Sequence, residues 1–205
     1  MVGGLIVTGC AEKRVYKPAD MLGWEIVHRL RLEAPSEFSD AQRHTFEQGW
    51  ALVKDGQLEK AASELNGLRR RYPQSPEITA GLGFLELRAG NPQASERLFE
   101  HSLGTRPDFA AASTGYFLAA LAGGDQEAAL SRLHRVRPEE TQSALVSRFE
   151  SNLRLNVAEA RLATARGLMG ERRYHEAATA FLEVLDVASE GAGLYVETAE
   201  AELAA

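Results

Sequence analysis

Between Asp20 and Glu33 the apolar residues Met21, Leu22, Trp24, Val27 and Leu30 fall on or near one side of a 3.6-residue period, which predicts one amphipathic helix. Pro35-Ser36 then breaks the chain, and Ser39 or Asp40 is placed to cap the helix that follows. Beyond this point the pattern lengthens. Gly49 and Gly83, Gly56 and Gly90, Ala61 and Ser95, Leu65 and Phe99, and Pro73 and Pro107 each stand 34 residues apart, the length of a unit of two helices joined by a turn. A unit of this kind cannot bury its apolar side alone, so units must stack on their neighbours.

The residue types at these positions have physical reasons. Gly49, Gly83 and Ala61 are small where the first helix of a unit must approach the second, and Leu65 and Phe99 fill the space on the other side. Gly56 and Gly90 stand where a helix must stop in a left-handed conformation that glycine adopts at no steric cost. Pro73 and Pro107 prevent the second helix from running on. From Pro138, which can open a helix, to Asn156 the chain carries Leu145, Phe149 and Leu153 in a stretch about 14 residues longer than the repeat phase allows. This predicts an extended or extra helix there. After Gly191-Ala192-Gly193, an acidic helix is predicted from Leu194 to Ala205.

This arrangement of small residue, turn glycine, alanine, large apolar residue and closing proline resembles the tetratricopeptide repeat (TPR) family. Residues 42–75 match with Gly49, Leu52, Gly56, Leu58, Ala61, Leu65, Leu68 and Pro73. Residues 76–109 match with Leu82, Gly83, Gly90, Ser95, Phe99 and Pro107, with Pro92 where an aromatic usually sits. Residues 110–143 keep Gly124, Ala129 and Leu133 but have Phe117 at the small position, and Pro138 ends the second helix early. A fourth unit at about 158–191 shows Tyr174, Ala177, Phe181 and Val184. The resemblance covers about three quarters of the chain. It implies an all-α fold, a right-handed superhelical solenoid of antiparallel helix pairs over 40–205, with a flanking helix within 11–39 and a capping helix at the C-terminus. It also implies a non-enzymatic scaffold that holds a protein or peptide in a concave groove.

Charge and chemistry narrow this picture. The formal net charge of −6 and pI near 5.5 argue against a nucleic-acid binder, and Arg69-Arg70-Arg71 reads as a helix end whose positive charge complements the macrodipole. His28, His44, His101, His134 and His175 are scattered one to an element without metal-type spacing, and no phosphate loop or nucleophile elbow occurs. No catalytic residue, metal or cofactor is therefore expected. No run of about 18 apolar residues spans a membrane.

The chain's single cysteine, Cys10, follows Leu5-Ile6-Val7-Thr8-Gly9 and leads into Ala11-Glu12-Lys13-Arg14. This resembles a bacterial lipobox, in which the cysteine is acylated and becomes the mature N-terminus, although no Lys or Arg precedes the apolar stretch. Residues 1–10 then form a signal segment and 11–39 a tether and flanking helix. The resemblance implies a lipid-anchored protein of the bacterial cell envelope, with Ala11 favouring the outer membrane facing the periplasm. The alternative is a cytoplasmic adaptor.

By resemblance to TPR grooves, the positions lining the concave side are Arg43, Phe46, Trp50, Val53 and Lys54, then Glu77, Ala80, Phe84, Leu87 and Arg88, then Thr114, Leu118 and Leu121. Exposed aromatics beside Arg and Lys are the residue types that dominate binding energy at interfaces. The alternative is that the N-terminal helix or the 139–156 segment folds over them. Asn66, Asn91, Asn152 and Asn156 lie outside the first helices of the first three units, which argues against the clamp by which chaperone-binding members hold a terminal carboxylate.

Overall fold

The computed structural model describes residues 22–136 and 144–188, and among these the chain is all-helical. The helices are α1 (Leu22–Arg29), α2 (Asp40–Lys54), α3 (Leu58–Arg71), α4 (Pro76–Arg88), α5 (Pro92–Thr105), α6 (Ala110–Gly123), α7 (Gln126–Leu133), α8 (Ala144–Gly170) and α9 (Tyr174–Leu185). Each helix from α2 to α7 touches the next, α7 touches α8 and α8 touches α9. The alternate helices α2, α4 and α6 also touch one another in turn. The predicted signal segment with Cys10, the residues around Pro138 and the acidic 194–205 helix lie outside the described residues.

The helix ends follow from local chemistry. Ser39 caps α2 in a reciprocal box, its hydroxyl accepting from the Gln42 N–H while the Gln42 side chain accepts from the Ser39 N–H. Gly56, Gly90 and Gly124 end α2, α4 and α6 with φ of 76°, 80° and 81°. Each turn repeats one hydrogen-bond pattern. At the first, Gly56 N–H donates to the Val53 carbonyl and Gln57 N–H to that of Leu52; Asn91 to Glu86 and Asp125 to Ala120 repeat the longer bond. The pattern returns once more at the end of α8, where Arg172 takes the left-handed position with φ 61° and Arg173 N–H reaches the Leu168 carbonyl. Arg172 lies 48 residues after Gly124, one 34-residue period plus the 14 extra residues, so the insertion preserves the turn and lengthens a helix. The first helix of the fourth unit is accordingly the second half of the unbroken 27-residue α8.

Packing repeats with the same period. Leu65 on α3 and Phe99 on α5 are fully buried, and each is received by two glycines. A Cβ at Gly49 would lie 3.0 Å from Leu65 Cδ2, and one at Gly81 would lie 3.5 Å from its Cδ1. A Cβ at Gly83 would lie 2.8 Å from Phe99 Cε1, and one at Gly115 would overlap the same ring. Gly81 and Gly115 are a second small position, facing the preceding unit, that the sequence reading did not separate from the first. Where Ser95 replaces Ala61, its buried hydroxyl donates to the Gly83 carbonyl at 2.8 Å, so the extra polar atom is not left unsatisfied. At the C-terminal end Arg161 on α8 grips Glu127 of α7 through Nε at 2.7 Å and Nη2 at 2.6 Å, and donates from Nη1 to the Glu183 carbonyl of α9. Its pKa is raised, chiefly by the Glu127 hydrogen bond.

The N-terminal helix ends earlier than the predicted Glu33. α1 ends at Arg29, and residues 30–38 continue as a non-helical strap with a turn at Ser36-Glu37.

Candidate partner-binding face

Helices α2, α4 and α6 share a face, and it carries the predicted groove residues. Eight of these are buried: Phe46, Val53, Ala80 and Phe84 are fully buried, Trp50 is 5% exposed and Leu118 is 4% exposed, and Glu77 and Thr114 are also buried. The expectation of solvent-facing Phe46, Trp50 and Phe84 is therefore corrected. The reason lies in α4, whose residues from Glu77 to Leu85 are all buried because the helix is enclosed by α3, α5, α2 and α6 and the strap. Trp50 meets Phe84 in a tilted pair at 5.2 Å, and Phe84 meets Phe99 edge-on at 4.8 Å, making one continuous aromatic interior. Arg43, Lys54, Leu87, Arg88 and Leu121 are half-buried. Lys54 Nζ stands 5.4 Å from the Trp50 ring, and Arg88 caps a different indole, that of Trp24 on α1, at 4.3 Å.

The chain covers this face with its own N-terminal segment. Trp24 and Val27 of α1 are buried, Leu32 packs where a Gly81 Cβ would lie 3.6 Å away, and Phe38 meets Phe46 and Tyr72 at ring separations of 6.2 and 4.7 Å. Of the two alternatives left by the sequence, the self-covered one describes this half of the face, with α1 and the strap as the cover.

Next to the strap the face stays open. A cleft of about 760 Å³ runs between Ile26, Leu30 and Ala34 on one side and Thr114, Phe117 and Leu133 on the other. At its end stands an ion pair. Arg106 Nη1 lies 2.7 Å from Glu77 Oε1, Ser75 Oγ donates to Glu77 Oε2 at 2.7 Å, and the Arg106 guanidinium carbon stands over the Phe109 ring, 3.7 Å from its centroid. Glu77 is 9% exposed while the Arg106 side chain is 39% exposed, so the pair is rooted in the core with its cationic end toward the cleft. A guanidinium fixed by a carboxylate and a ring is pre-organised to donate to a carbonyl or carboxylate of a bound chain. Arg29 and Arg31 line the cleft beside Glu33 and Asp108, giving it a mixed-charge rim around an apolar floor.

Sequence reasoning placed Glu77 on this face and missed Arg106, Phe109 and the strap's inner lining. A signal for the first two exists in the repeat phase. Arg106 stands 34 residues after Tyr72, and Phe109 the same distance after Ser75, so the second closing turn exchanges two positions to bring a cation and a ring to one corner. Among the described residues no cluster of three His, Cys, Asp or Glu is placed to hold a metal ion, and no helix is long and apolar enough to cross a membrane. No protein-family model, curated protein or solved structure matches this chain.

Proposed function

We propose that this protein is a non-enzymatic scaffold of the TPR type, which holds a protein or peptide on the α2–α4–α6 face and is tethered by a lipid on Cys10 to a bacterial envelope membrane. The observation that carries the first part is the recurrence, at a 34-residue period, of the same left-handed turn at Gly56, Gly90 and Gly124, with a large side chain seated between glycines in successive units. Helix pairs stacked this way extend a surface along the array instead of closing it around a small pocket. The cleft beside the strap, with its fixed Arg106 and apolar floor, is the accessible part of that surface. The anchor rests on the sequence around Cys10 alone.

Two experiments test this. A photoreactive residue at Ser36, on the cleft, should capture a discrete partner in cells, and Arg106→Glu should abolish that adduct while a reporter at Glu100 captures nothing comparable. The same adducts from both positions, insensitive to Arg106→Glu, would remove the face as a binding surface. Cys10→Ser should move the protein from the membrane to the soluble fraction, because acylation needs the thiol. Unchanged fractionation would return the chain to the cytoplasmic adaptor reading.

A further inference from the structure

We propose that residues 24–38 are an intramolecular ligand of the α2–α4 face, and that a partner engages this face by displacing them with a segment of the same chemistry. That segment is a short amphipathic helix bearing an indole and, three positions on, a β-branched aliphatic residue. The inference rests on the reading of the face as a protein-binding surface and names what it binds.

The contacts of the segment are those of a docked peptide. α1 is described from Leu22 to Arg29 and carries two of the segment's buried anchors, Trp24 and Val27. It is held by side chains in sockets: Trp24 under the Arg88 guanidinium, Val27 in the core at 1% exposure, Leu32 over Gly81, and Phe38 between Phe46 and Tyr72. Among the described residues its backbone bonds are local. The Leu30 N–H turns back to the Ile26 and Val27 carbonyls, and that of Phe38 to Pro35. The helices of the array, by contrast, are cross-linked by polar bonds such as Ser95 to Gly83 and Ser102 to Pro76.

The socket for the indole belongs to the array. Arg88 Nε lies 3.5 Å from where a Gly56 Cβ would stand, so the guanidinium is set against the first turn of the array. A cation so placed selects an aromatic residue over an aliphatic one. The other side of the same segment lines the open cleft through Ile26, Leu30 and Ala34. A partner entering the cleft therefore meets the segment it must replace. An element held mainly by a few seated side chains opens at a lower free energy than the helices packed on both sides.

The test uses the full chain and a fluorescent peptide of residues 22–38. In the native protein the tethered copy competes at an effective concentration on the order of millimolar. Trp24→Ala with Val27→Ala removes two buried anchors and weakens that competitor by roughly a hundredfold. The labelled peptide should bind the double variant at least about tenfold more tightly than it binds the native protein, and a peptide carrying Trp24→Ala should bind neither. Equal binding to both proteins overturns the proposal, as does no binding to a variant that keeps a native melt. Should the double variant fail to fold, Arg88→Gln replaces it. Hydrogen-exchange protection should then be lost over 22–29 and kept in α4 and α5, and unchanged protection over 22–29 overturns the proposal. Peptide binding reads only the contact between segment and face, so its failure is separable from a failure to crosslink any partner from Ser36.

Discussion

Substituting Gly115 by alanine adds one methyl group where the structure has no room for it. The new Cβ would overlap Cζ and Cε1 of Phe99 and stand 2.7 Å from Cε2, against the roughly 3.5–4.0 Å at which carbon atoms pack. The ring cannot step aside. It is fully buried, its Cε1 and Cζ also lie against Gly83, where a Cβ would be 2.8 Å away, and the Phe84 ring stands at 4.8 Å. α6 must therefore move away from α5 by about 1 Å, which places the cost at the upper end of overpacking, about 3 kcal/mol. The better helix propensity of alanine offsets about 1 kcal/mol. The net loss of about 2 kcal/mol should lower Tm by roughly 4–8 °C in a chain of this size. Gly67→Ala on α3 is the control. Nothing lies within 4 Å of its Cβ, so propensity acts alone and Tm should rise by about 2–4 °C. Circular-dichroism melts of both variants, with Phe99→Leu added to Gly115→Ala to relieve the overlap, complete the measurement. A Gly115→Ala protein that melts at or above the native one, or a Phe99→Leu addition that fails to recover any of the loss, would refute the claim that Phe99 is clamped between two units.

Trp50→Ala should cost about 3–5 kcal/mol in urea unfolding, because the indole is buried against Phe84; a native-like midpoint would mean that the residue faces solvent. Arg172→Gly should stabilise the protein by about 0.5–1 kcal/mol by relieving an L-residue held at φ 61°, and a destabilisation would mean that the arginine side chain makes a contact there. Arg161→Lys should cost about 1 kcal/mol and loosen α9 preferentially, since an ammonium cannot reach Glu127 through two donors and the Glu183 carbonyl through a third; equal hydrogen exchange in α9 of both proteins would show that the clasp adds nothing.

What the sequence determined by itself is what each residue decides within its own neighbourhood. Gly56 and Gly90 announce the end of a helix because a positive φ is a property of the residue, and Ser39 announces a start because its hydroxyl reaches an N–H three positions on. The 34-residue echo is legible for the same reason: each unit solves the same packing problem with Gly49 against Leu65 or Gly83 against Phe99. The 14 extra residues before Arg172 were visible as a break in phase, although whether they formed an extra helix or lengthened one depended on what α8 packs against.

Only the tertiary structure decided which side of the α2–α4–α6 face meets water. A helix enclosed all round, as α4 is from Glu77 to Leu85, has no polar side to mark its orientation, so periodicity could not tell a groove from a core. Trp24, Val27, Leu32 and Phe38 read as apolar, but their docking sites are set by residues 34 to 64 positions away, such as Tyr72, Gly81 and Arg88. The same holds for the pairing of Glu77 with Arg106 at the end of the cleft. Where a segment settles among several apolar faces is fixed by the free energy of the whole assembly, and no stretch of sequence carries that sum on its own.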